Sequence, residues 1–236
     1  MNNDFKLNSN TSFTFSCKLC GNCCKEMLIR LTPFDILNLA AGLNLPTYDF
    51  IEDYVVFLKA PNIPWFIAAL KHVKKGECLF RQGKKCKVHP YRPLPCRLFP
   101  VGRTDEGFIL QKTAYCKGHN SNQEYNLADW LKEAGADPYL KMSQEYYQFM
   151  LKIADKYDLE KLGSKKSKMF YKLLFDFDSA SLESTISLSQ EEDKVRFCFQ
   201  MAEWFLEYTS EQELSDQEFL NVYEKQALLV EKKLRA

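Results

Sequence analysis

Four cysteines fall within eight residues at Cys17-x-x-Cys20-x-x-Cys23-Cys24, and this run constrains the chain more than any other feature. Two intervening residues let successive thiolates turn toward one centre, and Gly21 allows the tight turn between them. Free thiols at this density have no packing rationale. Three cysteines at this spacing can ligate three irons of a cubane cluster, with a fourth ligand supplied from elsewhere in the chain. Cys24 directly follows Cys23, and neighbouring side chains diverge. Cys24 can therefore serve a second metal, the opposite side of one cluster, or neither.

The chain has nine cysteines, and eight of them lie between Cys17 and Cys116. Core-packing cysteines scatter, whereas a ligand set clusters. The downstream members are Cys78, Cys86, Cys96 and Cys116, with His89 between Cys86 and Cys96. Pro90, Pro93, Pro95 and Pro100 stiffen this stretch, and their density predicts an ordered loop without helix or central strand. A loop already restricted in its unfolded state loses less entropy on ordering, which suits a preformed ligand shell. Arg92, Arg97 and Arg103 can offset the negative charge of a thiolate-rich centre or brace the loop through carbonyls. His89 is a candidate ligand, an outer hydrogen-bond donor or a structural residue. His72 and His119 read as surface residues. Cys198 sits on an apolar helical face and reads as core.

Structural zinc sites usually bring two close cysteine pairs. Here the second half is spread over wide intervals, as the remote ligand of a cluster is. The spacing therefore favours an iron–sulfur cluster, 4Fe-4S in type, over Zn2+. The eight sulfurs can be divided between one centre and two. The radical-SAM, Walker A and HExxH patterns are absent.

The residues Cys17, Cys20, Cys23, Cys24, Cys78, Cys86, His89, Arg92, Pro93, Cys96, Arg97, Pro100 and Cys116 make up a pattern of C-x-x-C-x-x-C-C, then C-x7-C-x-x-H-P-x-R-P-x-x-C-R-x-F-P, then Cys-x-Gly. In this pattern, from Cys17 to Gly118, the chain resembles the YkgJ-type family, also called CxxCxxCC. The resemblance implies a domain that chelates zinc or iron. A related cysteine motif occurs in a flagellin lysine methylase, so the resemblance also implies a protein-modifying role as one alternative.

The rest of the chain reads as helical. Thr32-Pro33-Phe34-Asp35 has the form of a helix start, with Thr32 as N-cap and Gly42 at the end. A second helix is expected from Thr47 through Val55. Met27–Leu31 and Phe108–Tyr115 read as strands. Tyr146, Phe149, Met150, Ile153 and Tyr157 keep the spacing of one helical face. Ser189 with Glu192 and Ser215 with Glu218 have the form of capping boxes opening two later helices. The expected fold is α+β and mostly α-helical. Residues 1–120 form a cysteine-rich, irregular metal-binding domain, and residues 121–236 form a helical region packed on it.

Lys and Arg number 32 against 31 Asp and Glu, so no basic footprint for nucleic acid is expected. Met1–Ser16 lacks the apolar core of a signal peptide. Pro64–Leu70 is the longest apolar candidate, far short of the roughly 18 residues that span a bilayer. The expectation is a cytoplasmic protein with no membrane or nucleic-acid partner. Its partners are a metal ion or cluster and, in the modifying alternative, a protein or peptide. Three functions stay open: a cluster centre serving redox, protein modification or maturation; a structural-zinc interaction module; and a metal-dependent enzyme acting on a protein side chain, with no catalytic residue assigned.

Overall fold

The computed structural model describes all residues except 1–4, 9–10, 19, 26, 73–76, 183–185 and 212–215. In chain order the strands are β1 (Phe5–Leu7), β2 (Ser12–Thr14), β3 (Arg30–Leu31), β4 (Val55–Lys59), β5 (Phe66–Leu70), β6 (Arg81–Gln82), β7 (Lys85–Cys86), β8 (Val101–Thr104), β9 (Gly107–Leu110) and β10 (Glu124–Asn126). The helices are α1 (Pro33–Leu43), α2 (Thr47–Tyr54), α3 (Leu94–Leu98), α4 (Leu127–Glu133), α5 (Asp137–Lys156), α6 (Ser164–Phe175), α7 (Phe177–Ala180), α8 (Glu191–Glu211) and α9 (Asp216–Arg235). Helix predominates and the sheets are small, as an α+β chain of mostly helical character requires. Among the described residues, no helix is long and apolar enough to cross a membrane.

Contacts divide the chain into two compact units. One comprises Met1–Arg30 and Ala69–Lys141, the other Leu31–Ala68 and Met142–Ala236. The units thus interleave along the sequence instead of meeting once near residue 120. Sequence texture follows the cysteines, whereas compactness follows long-range contacts, and α1 and α2 share their contacts with the later helices.

The first unit is built on short antiparallel pairings. β1, β9 and β8 form one sheet, with Phe5 opposite Leu110 and Val101 opposite the same Leu110. β10 pairs with β2, placing Tyr125 opposite Phe13. Phe13 is buried between exposed neighbours, the alternation a half-buried strand needs. Leu7, Phe13, Phe15, Phe99, Val101, Leu110 and Tyr125 form the core cluster, with Cys23, Cys116 and Trp130 packed against it. The rings meet edge to face, Phe15 with Trp130 at 5.5 Å and Phe15 with Phe99 at 6.0 Å between centroids. Trp130 Nε1 donates to the Leu98 carbonyl at 2.8 Å, so the indole buries no unsatisfied donor.

The second unit is mainly helical. Thr32 caps α1 as expected: its Oγ1 accepts from the Asp35 amide at 3.2 Å, and Asp35 Oδ2 accepts from the Thr32 amide at 2.8 Å. Gly42 does not end that helix. Asn44 does, at φ 56°, a left-handed conformation that asparagine tolerates. α2 starts at Thr47 and stops at Tyr54, and Val55 opens β4 instead of extending the helix. Pro64–Leu70 supplies β5, which lies between β3 and β4. Phe50, Phe170, Leu174, Phe197 and Met201 are fully or almost fully buried. Arg196 grips Glu145 through two bonds of 2.9 and 2.8 Å and also bonds Asp193. Phe149 stacks on Phe199 at 4.7 Å and Tyr146 packs against Phe175, so these aromatics serve packing.

The first intrahelical bond of α8 runs from the Lys194 amide to the Gln190 carbonyl, so Gln190 rather than Ser189 holds the cap position. The cap expected at Ser215 lies outside the described residues. In the first unit, β9 ends at Leu110, short of Tyr115. The proline-rich stretch corrects a second expectation. It contains a hairpin (β6–β7), a 3-10 turn at His89–Tyr91 and the helix α3. Pro93 sits at the N-cap of α3 and Pro95 in its first turn, where a missing amide hydrogen costs nothing.

Candidate metal centre

All eight clustered cysteines line one cavity of about 190 Å³ within the first unit. Five stretches of chain deliver them. Cys17 and Cys20 lie in the segment after β2, and Cys23 and Cys24 in a 3-10 turn at Asn22–Cys24. Cys78 sits in an isolated bridge to His72, Cys86 ends β7, Cys96 lies in α3, and Cys116 caps a 3-10 turn at Lys117–His119. Cys17 is exposed and the other seven are half-buried. Cys198 is buried in the second unit, 3% exposed, and takes no part. Among the described residues, no three Cys, His, Asp or Glu side chains stand close enough together to hold a single metal ion.

The loops owe their shape to a few directed bonds. Gly21 has φ 71°, and a Cβ there would come within 2.5 Å of Arg81 Nε. Glycine is required on both counts. Arg81 donates to the carbonyls of Gly83 (2.9 Å) and Cys20 (3.4 Å) and pairs with Glu77 at 3.2 Å, so it ties the first cysteine loop to the β6–β7 hairpin. Asn22 Nδ2 donates to the Tyr115 carbonyl at 2.8 Å. A Cβ on Gly118 would meet the Phe15 ring at 2.5 Å, so the Cys116 turn can seat only a glycine there.

Three of the downstream sulfurs accept hydrogen bonds from the amide two residues on: Cys78 from Phe80, Cys86 from Val88, and Cys116 from Gly118 at 3.4 Å. Such bonds favour the thiolate. Burial acts more strongly the other way and raises all three thiols above their usual value. A hydrogen bond from Cys23 to the Cys24 sulfur lowers Cys24 to about 7 and raises Cys23. The fit to a metal follows from this donor set. The cavity wall offers eight thiols and one imidazole and, among the described residues, no carboxylate. Soft donors of this kind suit zinc or iron–sulfur chemistry.

His89, Arg92 and Arg97 also line the cavity. The His89 ring lies 3.5 Å from Arg92 through Nδ1, and burial followed by Arg92 and Arg97 lowers its pKa, which keeps the imidazole neutral. Arg97 is a brace. It donates to the carbonyls of Pro90 and Ala134 and to the Tyr139 hydroxyl, and it lies over the Tyr139 ring at 4.0 Å. Arg103 lies on β8 and does not line the cavity. His72 and His119 are half-buried, not surface residues: His72 Nε2 meets the Met27 carbonyl at 3.0 Å, and His119 packs edge-on against Phe15.

The sequence did not single out Lys18, Arg81, Lys84 and Lys85, which make the wall cationic, nor Phe15, Phe99 and Trp130, which make part of it apolar. The Lys84-Lys85 pair in a turn between two cysteines was the available signal.

No solved structure matches the chain. Over 112 residues, 44% of its length, the chain is 31% identical to the uncharacterized protein MJ0661 of Methanocaldococcus jannaschii. It spans 57% of that relative. Residues 16–117 match the CxxCxxCC family, described as a putative zinc- or iron-chelating domain, over the stretch that brings the eight sulfurs together. Over that cysteine-bearing stretch the chain is thus similar to the CxxCxxCC domain family.

Proposed function

We propose that the protein binds an iron–sulfur cluster, 4Fe-4S in type, through Cys17, Cys20, Cys23, Cys24, Cys78, Cys86, Cys96 and Cys116, and uses it in redox, protein modification or maturation. The observation that carries this reading is the gathering of eight sulfurs, distant in sequence, around one cavity. Folding would not bring so many thiols together without an inorganic partner, because burial disfavours their ionisation and they add little to packing. The C-x-x-C-x-x-C run supports cluster over zinc. Arg81, Arg92, Lys84 and Lys85 support it too, since a thiolate-bound cluster carries negative charge that cations offset. Such a centre works in the reducing cytoplasm, where thiols stay free. His89 and Arg92 act from the surroundings of the centre.

Replacement of Cys17 or Cys20 by Ser tests the ligand assignment. Each variant is expected to lose bound metal, measured as moles of metal per chain after anaerobic purification. Undiminished metal in either contradicts the assignment. Cys198→Ser is the control and leaves metal content as it was.

A further inference from the structure

The second unit has a cavity of its own, about 830 Å³ in volume, and shares no lining residue with the sulfur-walled one. Small-molecule sites span roughly 300–1,000 Å³. Two helices and two strands build it. α2 contributes Tyr48, Ile51 and Glu52, and α6 contributes Ser164, Ser167, Lys168, Tyr171 and Lys172, both following the spacing of one helical face. Phe57 of β4 and Phe66 of the adjoining β5 complete the wall. Thr47 Oγ1 donates to Asp176 Oδ1 at 2.8 Å, which fixes the start of α2 against the residue that ends α6.

The wall combines three chemistries. Tyr48 and Phe66 are 43% and 37% exposed, large for aromatic side chains, so both offer ring surface to a ligand. Tyr171 meets Phe66 edge-on at 5.5 Å between centroids and is only 7% exposed. Its hydroxyl accepts from the Phe66 amide at 2.9 Å, and among the described residues nothing accepts its proton. Burial pushes Tyr171 up to about 12, so that donor stays protonated. Lys168 and Lys172 are exposed and, among the described residues, belong to no ion pair; Ser167 lies beside them on the same face. Ammonium and hydroxyl donors converging in this way suit phosphate. Of the two carboxylates in the wall, Asp176 is 2% exposed and spent on Thr47 and Ser179. Glu52 stands on α2, not on the helix that carries the lysines, and is an acceptor fit for sugar hydroxyls.

We infer that this cavity binds a nucleoside monophosphate, with the base against Tyr48 and Phe66, the sugar beside Glu52 and the phosphate on Ser167, Lys168 and Lys172. Tyr171 donates to an acceptor on the base. The site lies wholly within the second unit, so it stands or falls independently of the metal reading.

Calorimetric titration of the full chain with AMP, GMP, CMP and UMP tests this, with the matching nucleosides and inorganic phosphate titrated separately. At least one nucleotide is expected to bind saturably, about tenfold or more tighter than its nucleoside or phosphate alone. Lys168→Ala with Lys172→Ala should weaken the nucleotide by about tenfold and leave the nucleoside unchanged, because both side chains are exposed and only the phosphate loses its partners. Phe66→Ala should weaken nucleotide and nucleoside alike, by about tenfold. Lys165→Ala, on α6 but outside the cavity wall, should change neither. No saturable binding of any of the four nucleotides at millimolar concentration overturns the inference. So does a nucleotide affinity that the lysine pair does not move, or inorganic phosphate binding as tightly as the nucleotide. The comparison of nucleotide with nucleoside and phosphate needs no variant, so it decides even where a substitution fails to fold.

Discussion

The two units solve the problem of stability in different ways. The second buries Phe50, Phe170, Leu174, Phe197 and Met201 between helices of up to 21 residues, and its caps and ion pairs are satisfied within the chain. The first has strands of two to four residues and a small aromatic cluster, and beside that cluster it keeps a cavity walled by sulfur. The difference teaches that a group held by the cavity sulfurs would add stability to the first unit, whereas the second relies on apolar burial with its caps and ion pairs.

Removal of the metal should expose this difference most strongly. Metal bound wholly by thiolates contributes on the order of 10 kcal/mol to the unit that holds it. Under a strong chelator and reductant, amides of the first unit such as Gly118 and Cys78 are expected to lose hydrogen-exchange protection, while those of α6 and α8 keep it. Equal loss in both units would erase the distinction.

A core truncation sharpens the comparison from the other side. Phe197 is 0% exposed, and Phe197→Ala should cost about 3–5 kcal/mol in denaturant unfolding. Bound metal per folded chain should not change, because no cavity-lining residue is touched.

The smallest effect is one of pH. In the metal-free protein, burial raises Cys78, Cys86 and Cys116 above the usual thiol value of 9.0. The folded state then binds more protons than the unfolded one. This contribution to stability is fully present below about pH 9 and is lost as pH rises through the folded values. Denaturation of the metal-free first unit should therefore become easier above about pH 9. Metal loading abolishes the trend, because the ligated sulfurs are already thiolates.

That the eight clustered cysteines converge was legible in their spacing, and the structure places all of them around one cavity. Thr32 and Asp35 were legible for a similar reason, since a helix start is settled between near neighbours. What escaped is non-local. β2 finds its partner β10 more than a hundred residues on, so Phe13 announced a strand only by alternation over three residues. The helix α3 escaped because proline density argues only against a helix interior, and Pro93 and Pro95 occupy the N-cap and first turn, where a helix accepts them. The interleaving of the units escaped because nothing in the sequence of 31–68 says which later helices it will pack against.

Iron, zinc and acid-labile sulfide per chain, measured together with the visible spectrum on protein purified without oxygen, test the central claim most directly. The account predicts a brown protein with iron and sulfide in equal amounts. A colourless protein carrying stoichiometric zinc, or one that holds no metal when supplied with it under reducing conditions, would contradict it.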